Sequence, residues 1–265
     1  MQLIADAHVH VYPFHSPQLV LDVLRRNLVA MDRDAICLAF LAERADCRFF
    51  ADLAQRGSRL LDRPVVADRL GECLVLREHN FPDLYLFAGR QIVTRERIEI
   101  LALTTDVAPA DGLPAAETVT RILEGGGIPV LSWAPGKWFF ARKKVVAGLL
   151  ERFSPGSLLV GDSSLRPRCW LMPVLMKQAT ARGVGLVVGS DPLPVPGEEA
   201  MIGTYGFSVD AEFAPEAAVR SIRTVLGHPG FRPRLRGTRG GALKTMRRLF
   251  ANYRAGRRHK DTANS

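Results

Sequence analysis

Short apolar runs alternate along this chain with stretches in which apolar residues recur every three or four positions. "QLIAD" at 2–6 reads as a strand. It leads into "SPQLVLDVLRRNLVAM" at 16–31, where Leu21, Leu24, Leu28 and Met31 repeat at helical spacing behind a Ser16 cap and Pro17 in the first turn. "AICLAF" (35–40), "GECLVL" (71–76), "LYLFAG" (84–89) and "ERIEILAL" (96–103) read as further strands. The second half continues with helices at 114–124, 138–152, 168–183 and 214–227, the third with Pro173 in its early turns and the last stopped by Gly227. Between them lie strands at 127–133, 157–162 and 184–191. Fully apolar strands interleaved with helices predict a parallel sheet in an α/β protein. Some seven strands with polar residues at their ends favour a closed barrel over an open, doubly wound sheet.

In such a barrel the chemistry belongs at the C-terminal strand ends. The first strand ends at Asp6, His8 and His10, with His15 close behind, so half of the six histidines crowd one segment. Residues two apart on a strand share a face, so His8 and His10 can hold one ion between them. Asp162 in "LLVGDSS" and Asp191 in "LVVGSDPLP" end later strands, Gln91 follows "FAGR", and Trp133 ends "VLSW". Imidazole and carboxylate donors suit Zn, Mn or Fe. Asp6 reads equally as a group orienting the histidines or as a hydrogen-bond acceptor at the strand end. Asp162 is also a plausible helix cap. Lys137, Arg166 and Arg168 are candidates for holding an anionic substrate, with solvated surface charge as the alternative. "PLPVPGEE" at 192–199 reads as a stiff loop over the mouth, with Glu198 and Glu199 as rim charge or gate.

Length and composition change little: 265 residues, 47% hydrophobic and 24% charged, suit an ordinary globular protein with an ample core. There is no apolar run of ~20 residues, no signal-peptide pattern and no paired cysteine motif, which together point to a cytoplasmic, reducing setting. Charge changes more. Of the net +9, residues 229–265 carry +10, from eleven Lys and Arg against Asp261, which leaves −1 for the rest. The chain therefore divides into a barrel domain at 1–228 and a basic extension at 229–265. The extension should form a helix at about 241–255, with disorder beyond Gly256. Leu243, Met246, Phe250 and Tyr253 form a stripe on that helix. The stripe should pack on the barrel and leave the arginines solvated; docking on nucleic acid or an anionic membrane is the alternative.

"DAHVHVYPFHS" resembles the D-x-H-x-H-T-x-x-S-D-G opening of the PHP (polymerase and histidinol phosphatase) family. "AGRQIVTRERIEILAL", "GGIPVLSWAP" and "VVGSDPLP" resemble three later segments of that family in the right order. The resemblance implies a distorted (β/α)7-type, TIM-like barrel with a two- or three-metal site that hydrolyses phosphate esters. His8 and His10 match its first ligand pair, His15 falls where it has an Asp ligand, and Asp191 matches its last Asp. The departures are as plain. No ligand follows the second strand; Gln91 stands for a bridging Glu, Trp133 and Ala134 for a His, and Leu193 for another His. The expectation is thus a PHP-like hydrolase of a small phosphorylated substrate. One or two divalent ions would sit on His8, His10, His15 and Asp191, with Asp191 and Asp162 as catalytic groups. Gln91, Lys137, Arg166 and Arg168 would contact substrate. The rival expectation is an inactive PHP-fold protein that holds an anionic ligand or RNA.

Overall fold

A computed structural model describes residues 1–61, 66–79, 81–107 and 109–263. The elements run β1 (Gln2–Val9), α1 (Pro17–Met31), β2 (Ile36–Leu41), α2 (Phe49–Arg56), β3 (Val66–Leu70), β4 (Cys73–Arg77), β5 (Leu84–Phe87), β6 (Gly89–Val93) and β7 (Glu99–Leu103). They continue with α3 (Ala115–Glu124), β8 (Ile128–Ser132), α4 (Ala141–Arg152), β9 (Leu159–Ser163), α5 (Val174–Ala181), β10 (Leu186–Gly189), β11 (Tyr205–Asp210), α6 (Ala218–Leu226), β12 (Arg234–Gly237) and α7 (Ala242–Ala263). None of the described helices is long and apolar enough to cross a membrane.

The strands correct the expected (β/α)7 barrel. They form two open sheets, one in the order β12-β11-β1-β2-β5-β4-β3 and one in the order β10-β9-β8-β7-β6. Three helix-linked pairs, β1-α1-β2, β8-α4-β9 and β9-α5-β10, are parallel, whereas β7-α3-β8 and β11-α6-β12 are antiparallel despite their helices. The β3-β4-β5 and β6-β7 links contain no helix, so those strands turn back antiparallel. β11 also runs antiparallel to β1. Apolar runs predicted buried strands correctly but could not give their direction.

One core lies between the seven-stranded sheet and α1 and α2, with Leu21, Leu24, Leu28 and Leu53 fully buried against Cys37, Ala39 and Leu41. α1 begins as its residues predict: the Ser16 side chain accepts from the Leu19 N–H, and Pro17 opens the first turn. A larger core joins the other face of that sheet to the five-stranded sheet and α3–α6. β1 changes face between these cores. Leu3, Ala5 and Ala7 belong to the larger core, yet Ile4, Val9 and Val11 belong to the first. The register with β2 slips between Asp6 and Val9, a β-bulge. Strand alternation past the slip turns His8 and His10 away from the α1 core.

The two sheets meet at two seams, each passing through a glycine. A Cβ on Gly89 would stand 2.1 Å from the Leu41 carbonyl oxygen; beside it Glu43 and Arg90 form an isolated bridge. A Cβ on Gly189 would stand 2.3 Å from the His8 nitrogen and 2.8 Å from Asp6 Oδ1. At that second seam Asp6 is buried and accepts from three backbone N–H groups: His8 (3.0 Å) and Ser190 (2.9 Å) on Oδ1, and Gly203 (2.9 Å) on Oδ2. Burial pushes its carboxyl up to about 6 against the pull of those donors. Replacing Asp6 by Ala should orphan three buried N–H groups at ~1–3 kcal/mol each. We expect a loss of at least ~3 kcal/mol in denaturant unfolding; a loss below ~1 kcal/mol would show that the seam holds without the carboxylate.

Candidate metal centre

The bulge and the Gly189 seam bring three of the anticipated residues together. His8, His10 and Asp191 are all buried, and one ligand atom from each lies within 4.8 Å of the others. His8 Nε2 and His10 Nε2 are 3.0 Å apart, and Asp191 Oδ1 is 3.6 Å from the first and 3.7 Å from the second. Around an ion with bonds of ~2 Å, donors stand roughly 3–4 Å from one another, so the three atoms fit one small divalent cation. Two imidazole nitrogens this close share at most one proton between them, which leaves a lone pair for a metal. Burial lowers His10 well below the ordinary histidine value, aided by His8 and Arg44 and opposed by the Ala42 backbone and Gln91. Neutral imidazole is the form that ligates.

Gln91, on β6, joins the cluster with Oε1 3.1 Å from His8 Nε2. Its amide adds a neutral oxygen beside the three donors, and a set with Asp191 as its one carboxylate suits a single ion. The Asp191 backbone is fixed on both sides. Its N–H donates to the His8 carbonyl (2.9 Å), its own carbonyl accepts from Arg248 Nη2 (3.3 Å), and its φ of 48° lies in the left-handed region. A non-glycine residue there costs ~1–3 kcal/mol and persists only where its surroundings enforce it.

The other anticipated residues lie elsewhere. His15 stays out of the cluster: Nδ1 accepts from the Tyr12 N–H at 3.3 Å and Nε2 lies 3.6 Å from Glu199 Oε2. Asp162 is spoken for. Arg166 grips it with Nε (2.9 Å) and Nη2 (2.6 Å), and the Tyr205 hydroxyl donates at 3.2 Å. Burial works against the Arg166 charge, yet the Asp162 carboxylate outweighs it and raises the guanidinium pKa. Lys137 pairs with Glu99 at 2.7 Å, and Arg168 is exposed.

Two contributors were not foreseen. Arg44, just past β2, sets its guanidinium over the Tyr12 ring at 5.8 Å. Arg44 also lines a cavity of about 490 Å³ with Asp46, Gln91, Glu99 and Asp111. Arg248 comes from α7, which runs past Gly256, where the pattern ends it; residues 264–265 lie outside the described ones. The guanidinium is buried, bonded to Glu198 through Nε (2.8 Å) and Nη2 (2.7 Å) and to Ser164 Oγ (2.9 Å). Glu198 in turn accepts from the Leu193 N–H at 3.0 Å, which ties down the 192–199 loop. This anchor sets which face of α7 packs. Thr245, Arg248 and Leu249 turn inward, and Leu243, Met246, Phe250 and Tyr253 are left 59–65% exposed, opposite to the expected packing of that stripe. Nothing in the sequence separates Arg248 from the ten other cations of the extension.

No family model and no curated protein matches the chain. Solved structures do. PsfC from Pseudomonas syringae PB-5123 aligns over 96% of this chain and 98% of its own, at 13% identity and a TM-score of 0.56. The lesion-specific endonuclease PfuEndoQ from Pyrococcus furiosus aligns over 89% of this chain at 9% identity and a TM-score of 0.51; the chain spans 58% of that protein. An endonuclease Q complex with a 27-mer duplex substrate carrying an abasic lesion aligns at 11% identity over 85% of this chain and 56% of its own, with a TM-score of 0.48. The first two likenesses show a shared fold.

Removing Arg248 as Arg248→Ala should leave Glu198 buried and unpaired and destabilise the protein by ~3–5 kcal/mol. Arg248→Ala with Glu198→Gln should recover part of that loss. Equal unfolding midpoints for the single and double variants would show that the pair does not hold the loop.

Proposed function

We propose that this chain is a metal-dependent hydrolase of phosphate esters built on one ion held by His8, His10 and Asp191. The observation that carries it is the donor spacing of 3.0, 3.6 and 3.7 Å among two buried imidazoles and a carboxylate. Two nitrogens and an oxygen suit Zn, Mn or Fe. A divalent ion there supplies Lewis-acid polarisation of a phosphoryl group and makes water a stronger acid. The chain's own groups do the rest. The left-handed Asp191 backbone holds its carboxylate beside both histidines, and the Gln91 amide can orient His8 through its 3.1 Å contact. Arg44 stands at the cavity rim, where it can receive an ester oxygen.

The same cavity bears on the rival reading, in which the protein holds an anion and performs no chemistry. Its lining carries Asp46, paired with Arg44 at 3.1 Å, Glu99, paired with Lys137 at 2.7 Å, and Asp111. With both cations already facing carboxylates, anion binding here gains from an added metal ion. That a neighbour in fold is an endonuclease agrees with phosphodiester substrates, including nucleic acid; a small phosphorylated molecule fits the same chemistry.

Elemental analysis of the purified protein should find roughly one divalent ion per chain, and the double variant His8→Ala, His10→Ala should lose it. Hydrolysis of bis(p-nitrophenyl) phosphate should stop on chelation and return with added metal. Unchanged metal content in the double variant would overturn the site. A metal-loaded protein inert towards phosphomonoesters and diesters would leave binding as its role.

A further inference from the structure

All three tryptophans of the chain, Trp133, Trp138 and Trp170, line one cavity of about 310 Å³, with Phe139, Met172 and Lys143 completing it. It sits in the loops that follow β8 and β9. β8 is two strands from β10 in the five-stranded sheet, or ~10 Å from the strand that carries Asp191. Its volume is at the lower end of small-molecule sites.

Three features of this cavity have no structural use. First, its rings are open to solvent. Trp170 and Phe139 stack with centroids 6.1 Å apart, and Trp170 meets Trp133 edge-on at 5.6 Å, yet Trp170 remains 40% exposed beside an 84% exposed Leu171. Apolar surface of this kind is normally covered. Second, Trp133 is fully buried, and its Nε1–H has no hydrogen-bond partner, whereas Trp138 Nε1 donates to the Ser132 carbonyl at 3.0 Å. A buried donor without an acceptor is costly, and a ligand acceptor would relieve it once the rings around it part. Third, Phe140 beside the cavity, at the residue before α4, is 90% exposed with φ of 54°, a left-handed conformation that leaves its ring in solvent.

We infer that this cavity binds a planar heteroaromatic ring of the nucleobase type, stacked on Trp170 and Phe139, with a ring acceptor on Trp133 Nε1–H and Lys143 at the rim for a phosphate. Rings on flat rings give the stacking, the lone indole N–H selects a base over a hydrocarbon, and the ammonium matches the charge of a nucleotide. For the role of the ring in substrate choice this rests on the hydrolase reading above: the ester would be one that bears a nucleoside. Binding itself does not depend on that reading.

Because every tryptophan lines the cavity, intrinsic fluorescence reports on it and little else. The full chain, stripped of metal with EDTA, is titrated with AMP, CMP, ribose 5-phosphate and a single-stranded oligothymidylate. AMP or CMP should quench saturably and ribose 5-phosphate should not; quenching by the oligonucleotide alone would support the same stacking with a nucleic-acid strand as its source. Phe139→Ala should weaken binding roughly five- to a hundredfold, the range that base–ring stacking spans. Trp133→Phe, which keeps a ring but loses the N–H, should weaken it severalfold, with melting curves confirming that both variants fold. Equal quenching by ribose 5-phosphate and the nucleotides, or no saturable quenching by any base-bearing probe, would overturn the inference. Quenching without any phosphomonoesterase or phosphodiesterase activity after metal is restored would sink the hydrolase reading and leave the base site standing.

Discussion

The close approach of β10 to β1 is the constraint on which the rest depends. Gly189 has no side chain because the His8 backbone occupies the space that a Cβ would take. That contact places Ser190 N within reach of Asp6 and Asp191 N within reach of the His8 carbonyl. The Asp6 carboxylate then ties three separate backbone segments together in a dry setting, where each N–H needs an acceptor. The geometry of the His8, His10 and Asp191 cluster follows from this seam. His8 on β1 and His10 just past it can only point at Asp191 if the segment after β10 is drawn against them.

Besides Asp6, held by backbone N–H groups, buried charge near the site includes two closed pairs and one open cluster. Asp162 with Arg166, and Glu198 with Arg248, are each neutral overall and bidentate, so each supplies its own counter-charge away from water. His8, His10 and Asp191 differ: two imidazoles and one carboxylate with no cationic side chain bonded among them, an arrangement that gains from an added cation. The extension takes part in this division. One of its arginines is locked into the 192–199 loop, and the stripe that looked like a packing face points to solvent. A buried ion pair outranks four exposed apolar contacts in setting the rotation of α7, because an unpaired Glu198 would cost more than those contacts return.

Two features lie near one another at this end of the five-stranded sheet. Gln91 stands beside His8 as a neutral amide. Trp133 lines an aromatic cavity in the loops after β8 and β9.

What the sequence determined by itself was local. Ser16 and Pro17 start α1, apolar runs mark buried strands, and the i, i+2 spacing of His8 and His10 puts two imidazoles on one face. These depend on neighbours within a few residues, and a sequence displays such neighbours. Long-range choices came only with the tertiary structure. The sequence could not say whether strands joined by short links would turn back into two open sheets. It could not say which of eleven cations would be buried, as Arg248 was, or which acid it would meet, as it met Glu198. Each of those outcomes is decided by what lies across a seam from residues scores of positions away, where burial gives an unpaired group a cost that no local pattern records.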